Sequence, residues 1–376
     1  MLRTILRLSV LVLGAVLALR VLPWPLAAMG LPSLSPFVVA CSAVAARAVG
    51  LAALLGLPIL VVGILLPRGF CRYACPVGLL ADAVGRLRPR ARRPRFPAVG
   101  QWVLLVTVGG SLAGYPLLLW LDPLALFHGF FGALRSRPDW LTLLSAVGLP
   151  VVLLFSLAFP RAWCGRICPL GALQDLLAMA RRAAPEQSAE RRVWRRTVLA
   201  TGLGVAWALA TTRWARAGAP KPLRPPGALD EALFTGVCVR CGNCIRACPE
   251  RILRPDLDSV AGFLAPVVEF RESYCKEDCR RCIEVCPSGA IRRLSLERKR
   301  TTPMGIAKVD MGLCALGHGR ECSACILYCP YDAISTAFNE EDYTTTLLVE
   351  PGRCPGCGAC QIACPMPIKA IVVSPL

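Results

Sequence analysis

Sixteen cysteines between Cys238 and Cys364 constrain this chain more than any other feature. They fall into four groups, and each group closes on a proline. Cys238, Cys241, Cys244 and Cys248 read C-x2-C-x2-C-x3-C-P, ending at Pro249. Cys275, Cys279, Cys282 and Cys286 read C-x3-C-x2-C-x3-C-P, ending at Pro287. Cys314, Cys322, Cys325 and Cys329 read C-x7-C-x2-C-x3-C-P, ending at Pro330. Cys354, Cys357, Cys360 and Cys364 return to the first spacing, ending at Pro365. Closely spaced thiolates wrap backbone around a [4Fe–4S] cube, and the fourth, ahead of proline, serves the other cube of a pair.

Other uses of cysteine fit poorly. Zinc sites use two separated C-x2-C pairs rather than a triplet with a distant fourth thiol. A disulfide framework has no reason to place thiols so close together four times. Sixteen thiolates supply four cubes. Pairwise exchange predicts Cys238, Cys241, Cys244 and Cys286 on the first, and Cys275, Cys279, Cys282 and Cys248 on the second. It predicts Cys314, Cys322, Cys325 and Cys364 on the third, and Cys354, Cys357, Cys360 and Cys329 on the fourth.

Charge and hydropathy divide the chain. Of its 376 residues, 55% are apolar, and the net charge is +19. Residues 1–217 hold 24 Arg, no Lys and 6 acidic residues, whereas residues 218–376 hold 19 basic and 18 acidic ones. The excess positive charge lies among apolar runs, where arginines orient membrane helices. The nearly neutral cysteine region excludes a nucleic-acid footprint.

Apolar runs cover 5–22, part of 37–66, 99–121, 140–159 and, more weakly, 197–212. They predict a membrane α-helical bundle of four to five transmembrane helices. The segments 67–98 and 160–196 each carry eight arginines, which places them and the N-terminus in the cytoplasm. Arg86 to Arg95 read as a topology signal, with contact to anionic lipid besides. Five spans place everything after Arg213 in the periplasm, while four would leave it in the cytoplasm. Arg195-Arg196 ahead of the fifth run also looks like a twin-arginine export signal, and Ala215-Arg216-Ala217 like a signal-peptidase site. The expected organisation is a membrane domain at 1–196, a fifth segment at 197–217 and a Pro-rich linker at 218–228. An α+β tandem of bacterial-type ferredoxin modules follows, at 229–300 and 301–376. Apolar β-type runs at 266–270, 305–309 and 346–350 precede cysteine groups, and Ala-Ile pairs follow three of the prolines.

The first half contains its own repeat. Residues 68–82 and 161–175 share the frame R-x-[FW]-C-x3-C-P-x-G-x-L-x-D at an offset of 93. Cys71 and Cys75 thus match Cys164 and Cys168. Two such pairs can supply four thiolates to a further cluster, can act as redox dithiols, or can be structural.

The first half resembles the NapH-type membrane ferredoxin proteins, which have four spans and two C-x3-C-P motifs. The second resembles the NapG and MauM ferredoxin-type proteins, with an export signal and four [4Fe–4S] motifs. The resemblance, covering nearly the whole chain as if two partners were fused, implies electron transfer at the bacterial cytoplasmic membrane. Electrons would pass from the quinol pool to a periplasmic reductase or cytochrome acceptor. The label quinol dehydrogenase would describe the system of which the chain is a part. A maturation factor for a periplasmic metalloenzyme is the rival reading, and inward electron flow to quinone a third.

Weaker signals remain. His128 and Asp122 are candidates for accepting protons from a quinol, against a simple capped turn at Asp122-Pro123. His318 reads as shaping the loop between Cys314 and Cys322. Cys41 reads as a buried small apolar residue. No strand-linked G-x-G-x-x-G, P-loop or H-E-x-x-H is present, so nucleotide and zinc-protease chemistry lack support and the sequence shows no catalytic residue beyond the redox centres.

Overall fold

A computed structural model describes residues 2–19, 31–48, 52–88, 97–135, 143–144, 146–181, 187–216, 221–340 and 343–376. Arg90, Arg92, Arg93 and Arg95, the linker residues 218–220 and Ala217 of the peptidase-like site lie outside the described residues.

The expected transmembrane bundle does not form. Among the described residues no helix is long and apolar enough to cross a membrane. The apolar runs are cut into pieces shorter than the roughly 20 residues a span needs. Helix α1 (Leu2–Ala18) has 17 residues. The run at 37–66 splits into α2 (Pro36–Ala46, 11 residues) and α3 (Ala52–Leu65, 14 residues). After α4 (Gly69–Tyr73) and α5 (Pro76–Arg86) comes α6, which keeps 14 residues of its run (Val99–Leu112). Helix α7 (Pro123–Arg135) then leads to α8 (Gly148–Ala158), with only 11. Helix α9 (Pro169–Arg181) follows, and the 30-residue α10 (Gln187–Arg216) fails for another reason. Arg195 and Arg196 on one side and Arg213 on the other confine its apolar stretch.

The repeated frame explains its own local fold. In each copy the second cysteine stands just before a helix whose first residue is proline, Pro76 in α5 and Pro169 in α9. Proline suits that position because its fixed φ is helical and its missing N–H would be unpaired there anyway. The Cys75 sulfur caps α5 by accepting from the Gly78 N–H at 3.4 Å. Glycine suits position 78, since a Cβ there would crowd the Cys71 carbonyl at 3.2 Å. Gly171 repeats this, 3.1 Å from the Cys164 carbonyl. The frame arginines also match: Arg68 has φ 54° and Arg161 φ 64°.

The cysteine-rich half folds as two α+β modules. In the first, α11 (Glu231–Val237) and α12 (Asn243–Ala247) precede strands β1 (Leu253–Pro255) and β2 (Pro266–Val268). The strands pair antiparallel, with Arg254 opposite Val267. Helices α13 (Arg281–Glu284) and α14 (Leu296–Thr301) complete it. In the second module β3 (Ile306–Val309) pairs antiparallel with the last strand, β6 (Ile371–Ser374). Between them, β4 (Ile334–Asn339) and β5 (Thr344–Val349) form a hairpin, while α15 (Ala324–Leu327) and α16 (Ala359–Ala363) carry cysteines. Residues 221–228 do not stand free. Arg224 is buried, pairs with Glu231 at 2.6 Å and Asp256 at 3.2 Å, and stacks on Phe234. The helical half joins the first module directly: α2 packs on α11, and α7 packs on α12.

Candidate cluster sites

The structure gathers the sixteen motif cysteines around four cavities. One is lined by Cys238, Cys241, Cys244 and Cys286, with about 380 Å³ of empty space. A second, of about 370 Å³, is lined by Cys248, Cys275, Cys279 and Cys282. A third, of about 350 Å³, has Cys314, Cys322, Cys325 and Cys364. The fourth, of about 290 Å³, has Cys329, Cys354, Cys357 and Cys360. In every case the last cysteine of one motif crosses to the cavity built by its neighbour. The remaining walls are largely apolar, including Ile252 and Val268 in the second and Val309, Leu347 and Ile371 in the third.

The donor set suits a polynuclear iron–sulfur core. Among the described residues no group of three or more His, Cys, Asp or Glu side chains gathers tightly enough for a single metal ion. Four cysteines line each cavity, the number of thiolates that a [4Fe–4S] cluster takes. Burial pushes the thiols of Cys241, Cys357 and Cys360 up to about 12. Uncharged thiols are therefore favoured until a metal charge holds the sulfurs as thiolates.

Local backbone aims N–H groups at these sulfurs. Gly242 and Gly358 have φ of 69° and 85°, in the left-handed region that glycine adopts without strain. The following amides, of Asn243 and Ala359, bond the sulfurs of Cys241 and Cys357. The Ala-Ile pairs act similarly. Cys286 accepts from the Ile291 N–H and Cys329 from the Ala333 N–H, both at 3.4 Å.

Cys71, Cys75, Cys164 and Cys168 form a fifth cluster of thiols, in the helical half. Cys75 feels Cys71 and Cys164, and Cys168 feels the other three. Gln174, from the second copy, donates its side-chain amide to the Cys71 sulfur at 3.1 Å. Arg68 of the first copy donates to the Cys164 and Gly165 carbonyls at 3.1 and 3.0 Å. The buried Trp163 indole N–H and Gln174 carbonyl oxygen have no hydrogen-bond partner among the described residues.

Several residues around these sites were not singled out from sequence. Lys299 is buried and hydrogen-bonds both the Cys275 sulfur and the Lys276 carbonyl. Nothing local marks it, because its partners lie more than twenty residues away. Asn243 meets His128, whose Nε2 lies 2.8 Å from its Oδ1. His128 and Asp122 do not face outward: both are fully buried. Asp122 caps α7, accepting from the Leu124 and Ala125 N–H groups and from Ser35 Oγ. His318 does stabilise its loop, through the Gly312 carbonyl at 2.8 Å. Cys41 is 3% exposed in the helical core.

Comparison with known proteins bears on both halves. A family model described as a 4Fe-4S binding domain matches residues 49–95 and 140–185, covering both C-x3-C-P copies. One described as a 4Fe-4S dicluster domain matches 237–290 and 320–368, with Cys314 outside the second match. The ferredoxin-type protein NapG of Escherichia coli is 36% identical over 212 residues, 52% of this chain and 89% of NapG. The methylamine utilization ferredoxin-type protein MauM of Methylobacillus flagellatus is 36% identical over 181 residues, 46% of this chain and 76% of MauM. MauM of Methylorubrum extorquens is 33% identical over 204 residues, 51% of this chain and 92% of MauM. A fusion with a NapH-type protein is not shown by these matches. No solved structure matches the chain.

Proposed function

The chain belongs to the NapG and MauM family of ferredoxin-type proteins, and from that premise we infer that it is an electron conduit with four [4Fe–4S] clusters. The four cavities carry this reading, each lined by four cysteines drawn from two neighbouring motifs. A bound cluster supplies one-electron redox chemistry. The chain supplies the thiolates, the N–H groups directed at sulfur and the dry walls, which together set potential. A fifth cluster is held by Cys71, Cys75, Cys164 and Cys168.

The electron donor is a quinol, which gives up two electrons singly and two protons on oxidation to quinone. The acceptor is a periplasmic redox enzyme or cytochrome, and the cluster modules face the periplasmic side of the cytoplasmic membrane. The helical half supports a donor from the lipid phase through its exposed apolar side chains, among them Ile5, Leu54, Leu154, Leu203 and Trp207. Such surface marks contact with lipid or protein rather than with water.

Iron and sulfide analysis of anaerobically purified protein tests the count, with low-temperature EPR during a redox titration. Five clusters are expected, falling to four in Cys71→Ala. Iron-free protein overturns the conduit, and unchanged iron in Cys71→Ala removes the fifth cluster. A reporter fused to the C-terminus and found on the cytoplasmic side overturns the location.

A further inference from the structure

The four cavities do not follow one another in space as their motifs do in sequence. The first lies against the helical half: Val239 and Cys241 share a hydrophobic core with Phe70, Cys75 and Cys168. Asn243, between Cys241 and Cys244, bonds His128 of α7. The first and second cavities adjoin within their module, where Cys244 feels the charge of Cys282. The third and fourth adjoin likewise, where Cys360 feels Cys325.

The modules meet between the second and fourth cavities. The Cys275 N–H donates to the Cys357 carbonyl at 2.9 Å, joining a cysteine of one to a cysteine of the other. Phe270 lies over Gly358 so closely that a Cβ there would fall 2.4 Å from the ring. The same ring packs against the cores of both modules. Tyr331 lines the fourth cavity, and its hydroxyl feels both Cys357 and Cys275. The third cavity lies beyond the fourth, beside the exposed loop at 317–321.

We propose that electrons cross between the modules at the Cys275–Cys357 contact, so that the conduit runs first, second, fourth, third, with its exit at the Cys314 quartet. This rests on the conduit reading above and adds the order and the exit. Tunnelling rates fall steeply with distance, so the nearest neighbours exchange electrons. Each exchange moves one electron, oxidising the centre it leaves and reducing the centre it enters, with no bond made or broken.

EPR of the dithionite-reduced, full-length protein tests the order through magnetic interaction between neighbours. Cys357→Ser removes the fourth centre and should leave the third isolated, with a simple, slowly relaxing signal. Cys322→Ser removes the third and should leave the second and fourth interacting. The opposite pattern, with Cys322→Ser isolating the fourth, overturns the order. Iron content checks that each variant loses one cluster only. Where a serine variant loses more, Phe270→Ala keeps every ligand and should weaken the interaction between modules. Unchanged relaxation in Phe270→Ala overturns the crossing. Wild-type protein without cluster signals would instead refute the conduit reading itself.

Discussion

Arg68 holds Asp175 by two hydrogen bonds, Nε to Oδ1 at 2.6 Å and Nη2 to Oδ2 at 2.5 Å. Both residues belong to the repeated frame, but to different copies. The pair therefore clamps the copies together across the C-x3-C-P cysteines. The pseudo-equivalent acid, Asp82, is taken by Arg7 at 2.8 Å, and Arg161 is left exposed. The duplicated site is thus asymmetric. Lysine cannot reproduce a planar two-point contact. Arg68→Lys should lower stability by roughly 2 kcal/mol, read as a fall in thermal midpoint, while Arg161→Lys should change it little.

Gln174 extends that asymmetry, since the first copy has Ala81 at the matching position. Its amide is donated to the Cys71 sulfur. A donor to sulfur favours the reduced, more negative state of a cluster. Gln174→Leu should therefore make the centre in the helical half harder to reduce, by about 40 mV for about 1 kcal/mol of hydrogen bond. A redox titration with the other centres unchanged checks it.

Lys299 acts in the same direction at the second cavity, and more strongly, because it brings a buried positive charge to Cys275. Lys299→Met should lower the potential of the Cys275 centre by roughly 60–130 mV, the equivalent of about 1.5–3 kcal/mol. Arginine at this position should retain part of the effect.

The cluster-free protein should weaken in alkali. Burial raises the thiols of Cys241, Cys357 and Cys360 from the ordinary 9 to about 12. Above pH 9 the unfolded chain gives up these protons while the folded chain still holds them, so stability falls as pH rises from about 9 towards 12. Below pH 9 both states keep the protons and these thiols contribute no slope. Denaturant unfolding of the apo protein at pH 7, 9 and 10.5 measures the trend.

His128 serves the joint between the two halves. Its contact with Asn243 is buried and links α7 to the first cysteine motif. His128→Ala should cost about 2–4 kcal/mol, from the cavity it leaves and the buried hydrogen bond it removes. Denaturant unfolding with cluster absorbance as probe should show the Cys238 centre released earlier than in the wild type.

The sequence by itself determined the cysteine quartets, the tandem ferredoxin modules and the repeated C-x3-C-P frame. These depend on local chemistry, on thiol spacing, on proline as a first helical residue and on small residues where a Cβ would strike a carbonyl. The strand-forming stretches before the cysteine groups were legible for the same reason. Run lengths misled, because hydropathy marks how apolar a stretch is but not where a left-handed residue such as Arg47 ends a helix and divides it. Only the tertiary structure decided that His128 and Asp122 are buried, that Lys299 reaches Cys275 and that the second cavity neighbours the fourth. Those relations join residues distant in sequence, and packing of the whole chain brings them together.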